Sequence, residues 1–193
     1  CALPILKEIA KKYGYFVSFM PKTTISDWRS GAHINHSVAS IKKKNKFFHA
    51  RFSAKKRVYK YVITNRFADT VLDNNRSWHI RNLLNIKLLK EGGKILEKTR
   101  DFSMFRSSSC GAKSPIRNLH FVKIKKEKDK IIIFFQSKSF LQQQVRSMVG
   151  CLKYLGEKKW DIKKFKKLIS QKNRLNCAPP APAKGLYLQK IIY

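Results

Sequence analysis

Lys130-Ile131-Ile132-Ile133-Phe134-Phe135-Gln136-Ser137, followed after Lys138-Ser139 by Phe140-Leu141-Gln142-Gln143-Gln144-Val145-Arg146-Ser147-Met148-Val149-Gly150-Cys151-Leu152-Lys153-Tyr154-Leu155, is the stretch that decides the fold class. Its first part is a short β-branched and aromatic run bounded by charged residues, which reads as a strand. In the second part Phe140, Leu141, Val145, Met148, Val149, Leu152 and Leu155 fall on one apolar stripe, with Gly156 at the stop, and predict a helix over Phe140–Leu155. Working outward, Asn118–Lys126 is a second strand pattern, separated from Lys130–Ser137 by charged residues, so the two predict a hairpin. Arg57–Asn65 alternates, with Val58, Lys60, Val62 and Thr64 on one face and Tyr59, Tyr61 and Ile63 on the other. Ile86–Leu96 carries Leu88, Leu89, Ile95 and Leu96 at helical spacing, although Gly92-Gly93 weakens the pattern. Asp161 is placed to cap a helix through Leu168, Asn176–Lys184 is a Pro- and Ala-rich loop, and Leu186–Tyr193 reads as a last strand. Strands and helices interleave without strict βαβ regularity, which predicts an α+β fold.

Composition bounds the function. The 193 residues include 13 Phe, 7 Tyr and 3 Trp, and 43% are hydrophobic, so the chain can bury a core and is no disordered basic tail. The apolar runs are too short to cross a bilayer, and charged residues follow Pro4 too closely for a signal peptide, so cytoplasm is the expected location. The charge is lopsided, with 43 Lys+Arg against 11 Asp+Glu and a formal net charge of +32. Such a field attracts polyanions and points to nucleic acid, although lysine runs such as Lys42–Lys44 and Lys163–Lys167 also suit a merely solvated basic surface. Residues 1–41 hold five basic and two acidic side chains, so the composition steps near Ile41 and marks a seam. Before that seam, Ile5, Leu6, Ile9 and Ala10 have helical spacing, Tyr15–Met20 reads as a strand and Thr23–Gly31 as a turn. The cysteines Cys1, Cys110, Cys151 and Cys177 contain no Cys-x-x-Cys pair, which argues against zinc or a disulfide framework and for buried or idle thiols.

Four stretches carry chemistry. The first is Phe48-His49-Ala50-Arg51-Phe52-Ser53-Ala54 with Arg57-Val58-Tyr59-Lys60-Tyr61. The second is Asp101-Phe102-Ser103-Met104-Phe105-Arg106, with Cys110 and Ser114-Pro115-Ile116-Arg117 downstream. The third is Phe140–Gly150, and the fourth is Ala178-Pro179-Pro180 ending in Gly185-Leu186-Tyr187-Leu188. In this order and spacing they resemble the tRNA pseudouridine synthase A (TruA) family, from about residue 41 to residue 193. The resemblance implies a mixed, largely antiparallel sheet with helices on one face. It also implies isomerisation of uridine to pseudouridine in the tRNA anticodon arm, no cofactor, tRNA as partner, and a homodimer. A free-standing basic RNA-binding module without catalysis is the alternative.

That isomerisation breaks the bond from C1′ to N1 and remakes it to C5, so the base must leave its stack and turn while detached. Such a site wants an aspartate nucleophile, a cation that keeps it ionised, and an aromatic against the base. By resemblance Arg146 is the arginine that pairs with the catalytic aspartate; the alternative is a helix arginine that reaches to solvent. Tyr59 is the tyrosine that packs on the target base, although alternation puts Tyr61 on the same strand face. Arg51, Arg57, Arg106 and Arg117 read as a group as tRNA-backbone contacts, because arginine grips phosphate through a planar fork; each singly could pin a loop. His49 reads as a structural histidine rather than an acid or base. Gln143 and Gln144 stand where the family often has histidine.

The family's Gly-Arg-Thr-Asp-x-Gly-Val-His stretch, which carries the nucleophile, is absent from this sequence. Asp27, before Gly31-Ala32-His33, imitates it with the wrong spacing, so the chain is expected to be inactive alone. Residues 5–40 instead resemble a piece of the glutamine synthetase catalytic domain, through Phe19-Met20-Pro21-Lys22 and Ser30-Gly31-Ala32-His33-Ile34-Asn35-His36-Ser37. There the residue matching His33 is a metal ligand, but the glutamates that complete the set are missing, so no metal site is expected. Two domains follow: 1–41, a glutamine synthetase-like fragment that does not fold independently, and 42–193, the tRNA-binding part. The join near residues 37–42 implies a truncated or chimeric reading frame.

Overall fold

Ile131, Ile133 and Phe135 alternate with half-buried neighbours and are themselves fully shielded, so the strand Lys130–Ser137 is the centre of the sheet. The computed structural model describes residues 51–69 and 75–193, His49, and the backbone of residues 15–19 and 36–40. Contacts divide the chain into two units, Cys1–Ser53 and Ala54–Tyr193. In the first, β1 (Tyr15–Phe19) and β2 (His36–Ser40) form an antiparallel ladder with Val17 opposite Val38, so the strand expected after Gly14 is present. The helix expected over residues 5–10, the turn at 23–31, Asp27 and His33 lie outside the described residues.

The second unit is built on one sheet, from β3 (Lys56–Asn65), β4 (Trp78–Ile80), β5 (Lys98–Asp101), β6 (Ile116–Glu127), β7 (Lys130–Ser137) and β8 (Leu186–Ile192). The order is β4-β3-β7-β6-β5, with β8 also on β3. Only the short β3–β4 pairing is parallel; β6 and β7 form the expected hairpin. One edge of β3 is shared, with β8 covering Lys56–Tyr61 and β4 covering Ile63–Asn65. The fold is α+β, as the interleaved pattern implied.

Three helices among the described residues share a core with this sheet: α1 (Ile86–Leu96), α2 (Gln144–Gly156) and α3 (Ile162–Gln171). Asn85 caps α1 by accepting from the Leu88 amide at 3.2 Å, and Asp161 caps α3 by accepting from the Lys164 amide at 2.6 Å. Gly92-Gly93 does not break α1. A Cβ at Gly92 would lie 2.5 Å from Leu155 Cδ1, and one at Gly93 3.1 Å from Val122 Cγ1, so the pair lets α1 approach α2 and β6 closely.

One boundary differs from expectation. The helix expected from Phe140 begins at Gln144, because Gln143 adopts a left-handed conformation, φ 60°, and breaks the helical path. The Gln144 side-chain oxygen then accepts from the Leu141 amide at 2.8 Å and closes the turn. Phe140 and Leu141 lie in that turn, and the stripe on the helix itself is Val145, Met148, Val149, Leu152 and Leu155, all buried.

Candidate functional site

Within the second unit, the Arg57–Tyr61 part of the first stretch and the other three stretches meet at one end of the sheet. The loop after Arg106 is tied to the turn before α2 by the Ser107 amide, which donates to Gln142 O at 3.1 Å. The Ala- and Pro-rich loop lies on α2, where a Cβ at Gly150 would stand 2.1 Å from Pro179 O, so only glycine allows the approach. The same loop reaches β3, because the Tyr61 hydroxyl donates to Pro182 O at 2.7 Å. Gly185 then passes under Tyr61, its notional Cβ 2.8 Å from the ring. A register shift between Val58 and Tyr59 on the β8 side adds a bulge at this point of β3.

Arg146 lies in the first turn of α2 and is half-buried. A cation there opposes the helix dipole, so helix stability gives no reason for it. Its Nε donates to Ala181 O at 2.6 Å, while the Ala181 amide donates to Arg146 O at 3.0 Å. The arginine is therefore locked to the loop rather than trailing into solvent. Among the described residues no carboxylate pairs with its guanidinium. The described aspartates are engaged elsewhere: Asp69 with Arg81 and His79, Asp101 with the Ser103 amide and Lys172, Asp129 with Arg66, and Asp161 in its cap.

The two tyrosines of β3 have different fates. Tyr61 is 0% exposed. Burial pushes its phenol well up, against a smaller lowering from the Arg146 charge, so it stays a neutral donor. Tyr59 is half-buried and meets Phe140 edge-on, ring centroids 5.2 Å apart. Burial raises its phenol too, with Arg57 pulling the other way.

Three of the other candidate arginines engage a backbone carbonyl. Arg57 Nη1 donates to Lys138 O, Arg106 Nη2 to Cys110 O, and Arg117 Nη1 to Ser114 O at 2.9 Å and Ile116 O at 2.6 Å. A guanidinium has five N–H donors, so pinning a loop this way does not exhaust it. Arg51 belongs to the other unit, where its guanidinium lies 5.8 Å from the Phe52 ring centre. His49 in that unit accepts from the Arg51 and Phe52 amides through Nδ1 at 3.2 and 3.3 Å, a turn-holding role. Gln144 is fully buried, its Nε2 without a hydrogen-bond partner among the described residues.

Sequence reasoning missed Arg100. Strand register sets it directly opposite Arg117, and both bury Nε without a partner among the described residues. Like charges opposed on a ladder repel, which an anion between them would relieve. No local pattern announces this, since the pairing joins residues distant in sequence and β5 carries a single arginine. The Ala181 and Pro182 carbonyls were equally invisible, because backbone acceptors carry no side-chain signature. Among the described residues no group of three or more His, Cys, Asp or Glu side chains could hold a metal ion. No helix among them is long and apolar enough to cross a membrane.

The chain is similar to known proteins over most of its length. Residues 94–193 match the family model described as tRNA pseudouridine synthase, and residues 4–64 match that of the glutamine synthetase catalytic domain. The chain is 58% identical over 157 residues to the tRNA pseudouridine synthase A of Pelagibacter ubique strain HTCC1062, covering 81% of this chain and 64% of that protein. It is 40% identical over 146 residues to the protein of the same name from Afipia carboxidovorans, covering 76% of this chain and 60% of that one. For Paramagnetospirillum magneticum the identity is 42% over 146 residues, covering 76% and 57%. The chain thus spans less than two thirds of the length of these relatives.

Proposed function

Since this chain belongs to the tRNA pseudouridine synthase family, we propose that its second unit is the tRNA-binding part of a synthase that isomerises uridine in the anticodon arm, and that the chain alone binds tRNA without modifying it. The single observation behind this is Arg146, fixed by Ala181 O in the first turn of α2 with no described carboxylate against it. A cation held half-buried at that place is stable beside an anion, and in this chemistry the anion is the nucleophilic aspartate. The sequence given contains no Gly-Arg-Thr-Asp stretch to provide one.

The remaining roles follow from shape. Tyr59, half-buried beside Phe140, is the aromatic offered to the flipped base, whereas Tyr61 has its ring covered and its hydroxyl engaged. Arg57, Arg106 and Arg117 are the candidates to hold phosphates in the second unit, with Arg100 beside Arg117, and Arg51 is a candidate for the same role in the first. No cofactor takes part. A homodimer and a cytoplasmic location, where tRNA is found, complete the family expectation. Residues 4–64 supply no ligase chemistry, and two unrelated family matches in one chain fit a chimeric reading frame. The nucleotide sequence across codons 36–42 tests that point: a junction or frameshift supports it, and an unbroken homologous frame refutes it.

Binding of an unmodified tRNA transcript, followed by fluorescence anisotropy across a salt series, tests the site. Arg106→Ala and Arg117→Ala weaken binding and each lower the salt slope by about 1, while Arg146→Ala leaves affinity almost unchanged. Equal losses from all three would replace this reading with the basic module that binds any RNA.

A further inference from the structure

We propose that Cys151 and Cys177 are a peroxide-responsive thiol pair that closes to a disulfide and ties the Ala178–Pro182 loop to α2. The residues are separated in sequence by the last part of α2, a turn and α3, yet their sulfurs are 3.6 Å apart. A disulfide bond is about 2.0 Å long, so the sulfurs need to approach by about 1.5 Å, within reach of a rotamer adjustment on the loop side. Cys151 is fully buried in the middle of α2, and Cys177 is half-buried at the start of the loop.

The surroundings give the two thiols different tasks. Arg174 donates to Ser147 Oγ at 3.3 Å and holds its charge beside Cys177. The hydrogen bond from Cys151 holds the Cys177 thiol below its usual range against the effect of burial, with the Arg174 charge and the Ser147 hydroxyl helping. The same hydrogen bond and burial push Cys151 up. Cys177 is therefore the attacking thiolate and Cys151 the resolving thiol. In the first step the Cys177 thiolate attacks hydrogen peroxide, the O–O bond breaks, Cys177 becomes a sulfenic acid, and hydroxide leaves and takes a proton to form water. In the second step Cys151 attacks the Cys177 sulfur, its proton goes to the departing hydroxyl, and a second water leaves. Two thiols and one peroxide give one disulfide and two waters.

The consequence falls on the site. The tethered loop supplies Ala181 O to Arg146 and Pro182 O to Tyr61, so the disulfide stiffens the mount of the arginine. The inference stands on sulfur geometry and is independent of the tRNA reading. The test is a peroxide titration of the full chain with mass mapping of tryptic peptides. The expected product links Ser147–Lys153 to Leu175–Lys184 within one molecule, is reversed by dithiothreitol, and is absent from Cys151→Ser and Cys177→Ser but present in Cys110→Ser. Hydrogen exchange at the Ala181 amide is expected to slow about tenfold on oxidation of the parent chain and not of Cys177→Ser. Linkage of Cys177 to Cys1, to Cys110 or to another molecule, or a stable sulfinic acid at Cys177 with Cys151 still a thiol, would overturn the pair. Unchanged exchange at Ala181 in the linked form would overturn the tether.

Discussion

Tyr59 and Tyr61 point the same way from one strand, and only one of them has a surface to offer. Tyr61→Phe removes the donor to Pro182 O and is expected to destabilise the protein by about 1 kcal/mol in urea unfolding, with tRNA affinity unchanged. Tyr59→Ala is expected to weaken tRNA binding by at least about 5-fold, since an aromatic platform contributes roughly 1–3 kcal/mol per stacked base. The reverse pattern would exchange their roles. Glu157 gives the residue scale its pH dependence. Burial pushes its carboxyl up, but the hydrogen bonds and charges of Lys153 and Lys159 outweigh this, and its pKa lies below the usual value. A folded-state pKa below the unfolded one means stability that is fully present above about pH 4.3 and lost as pH falls through the lower value. Glu157→Gln is therefore expected to flatten the acid limb of the stability curve below about pH 4, read by thermal melts, and to leave its shape above pH 6 intact. Residue identity at the site was largely legible in the motifs. The resemblance favoured Tyr59, whereas alternation alone put both tyrosines on one face, and it is the loop over Tyr61 that covers its ring.

At the scale of elements, the site exists because helices and loops approach more closely than side chains would normally allow. Gly150 and Gly92 are both such contacts, with different neighbours. At Gly150 the obstacle is the Pro179 carbonyl, which is backbone, whereas at Gly92 it is the tips of Leu155 and Leu152. Gly150→Ala is thus expected to destabilise by about 3 kcal/mol, with Arg146 losing its support. Gly92→Ala should cost about 1 kcal/mol or less, since leucine tips yield and alanine favours helix by nearly as much. Comparable losses at both sites by chemical denaturation would contradict the packing described. The element map was mostly written in the sequence: alternation found β3, the hairpin was bounded by its charged turn, and Asp161 announced α3. The strands β2, β4 and β5 were not read, being too short to show a pattern, and two further features were hidden. Gly92-Gly93 looked like a flaw in α1 because periodicity cannot tell a breaker from a contact residue. The start of α2 was set too early because Phe140 and Leu141 are apolar at helical spacing, while the left-handed Gln143 carries no apolar signal.

For the whole molecule, a formal net charge of +32 favours polyanions of any sequence, so affinity alone says little about the site. What separates a synthase part from a general basic binder is a held guanidinium that no carboxylate pairs among the described residues. The positive field was readable from composition. The convergence of distant stretches within the second unit was not, because it depends on β8 returning to β3 and on the proline loop crossing α2. The most direct measurement is tritium release from tRNA transcripts labelled at C5 of uridine, incubated with this chain at protein excess. Release indistinguishable from the protein-free control, with the tRNA demonstrably bound, is the expected result. Release above that control would show that a nucleophile is present in this chain, and the account of Arg146 as an unpaired catalytic partner would be wrong.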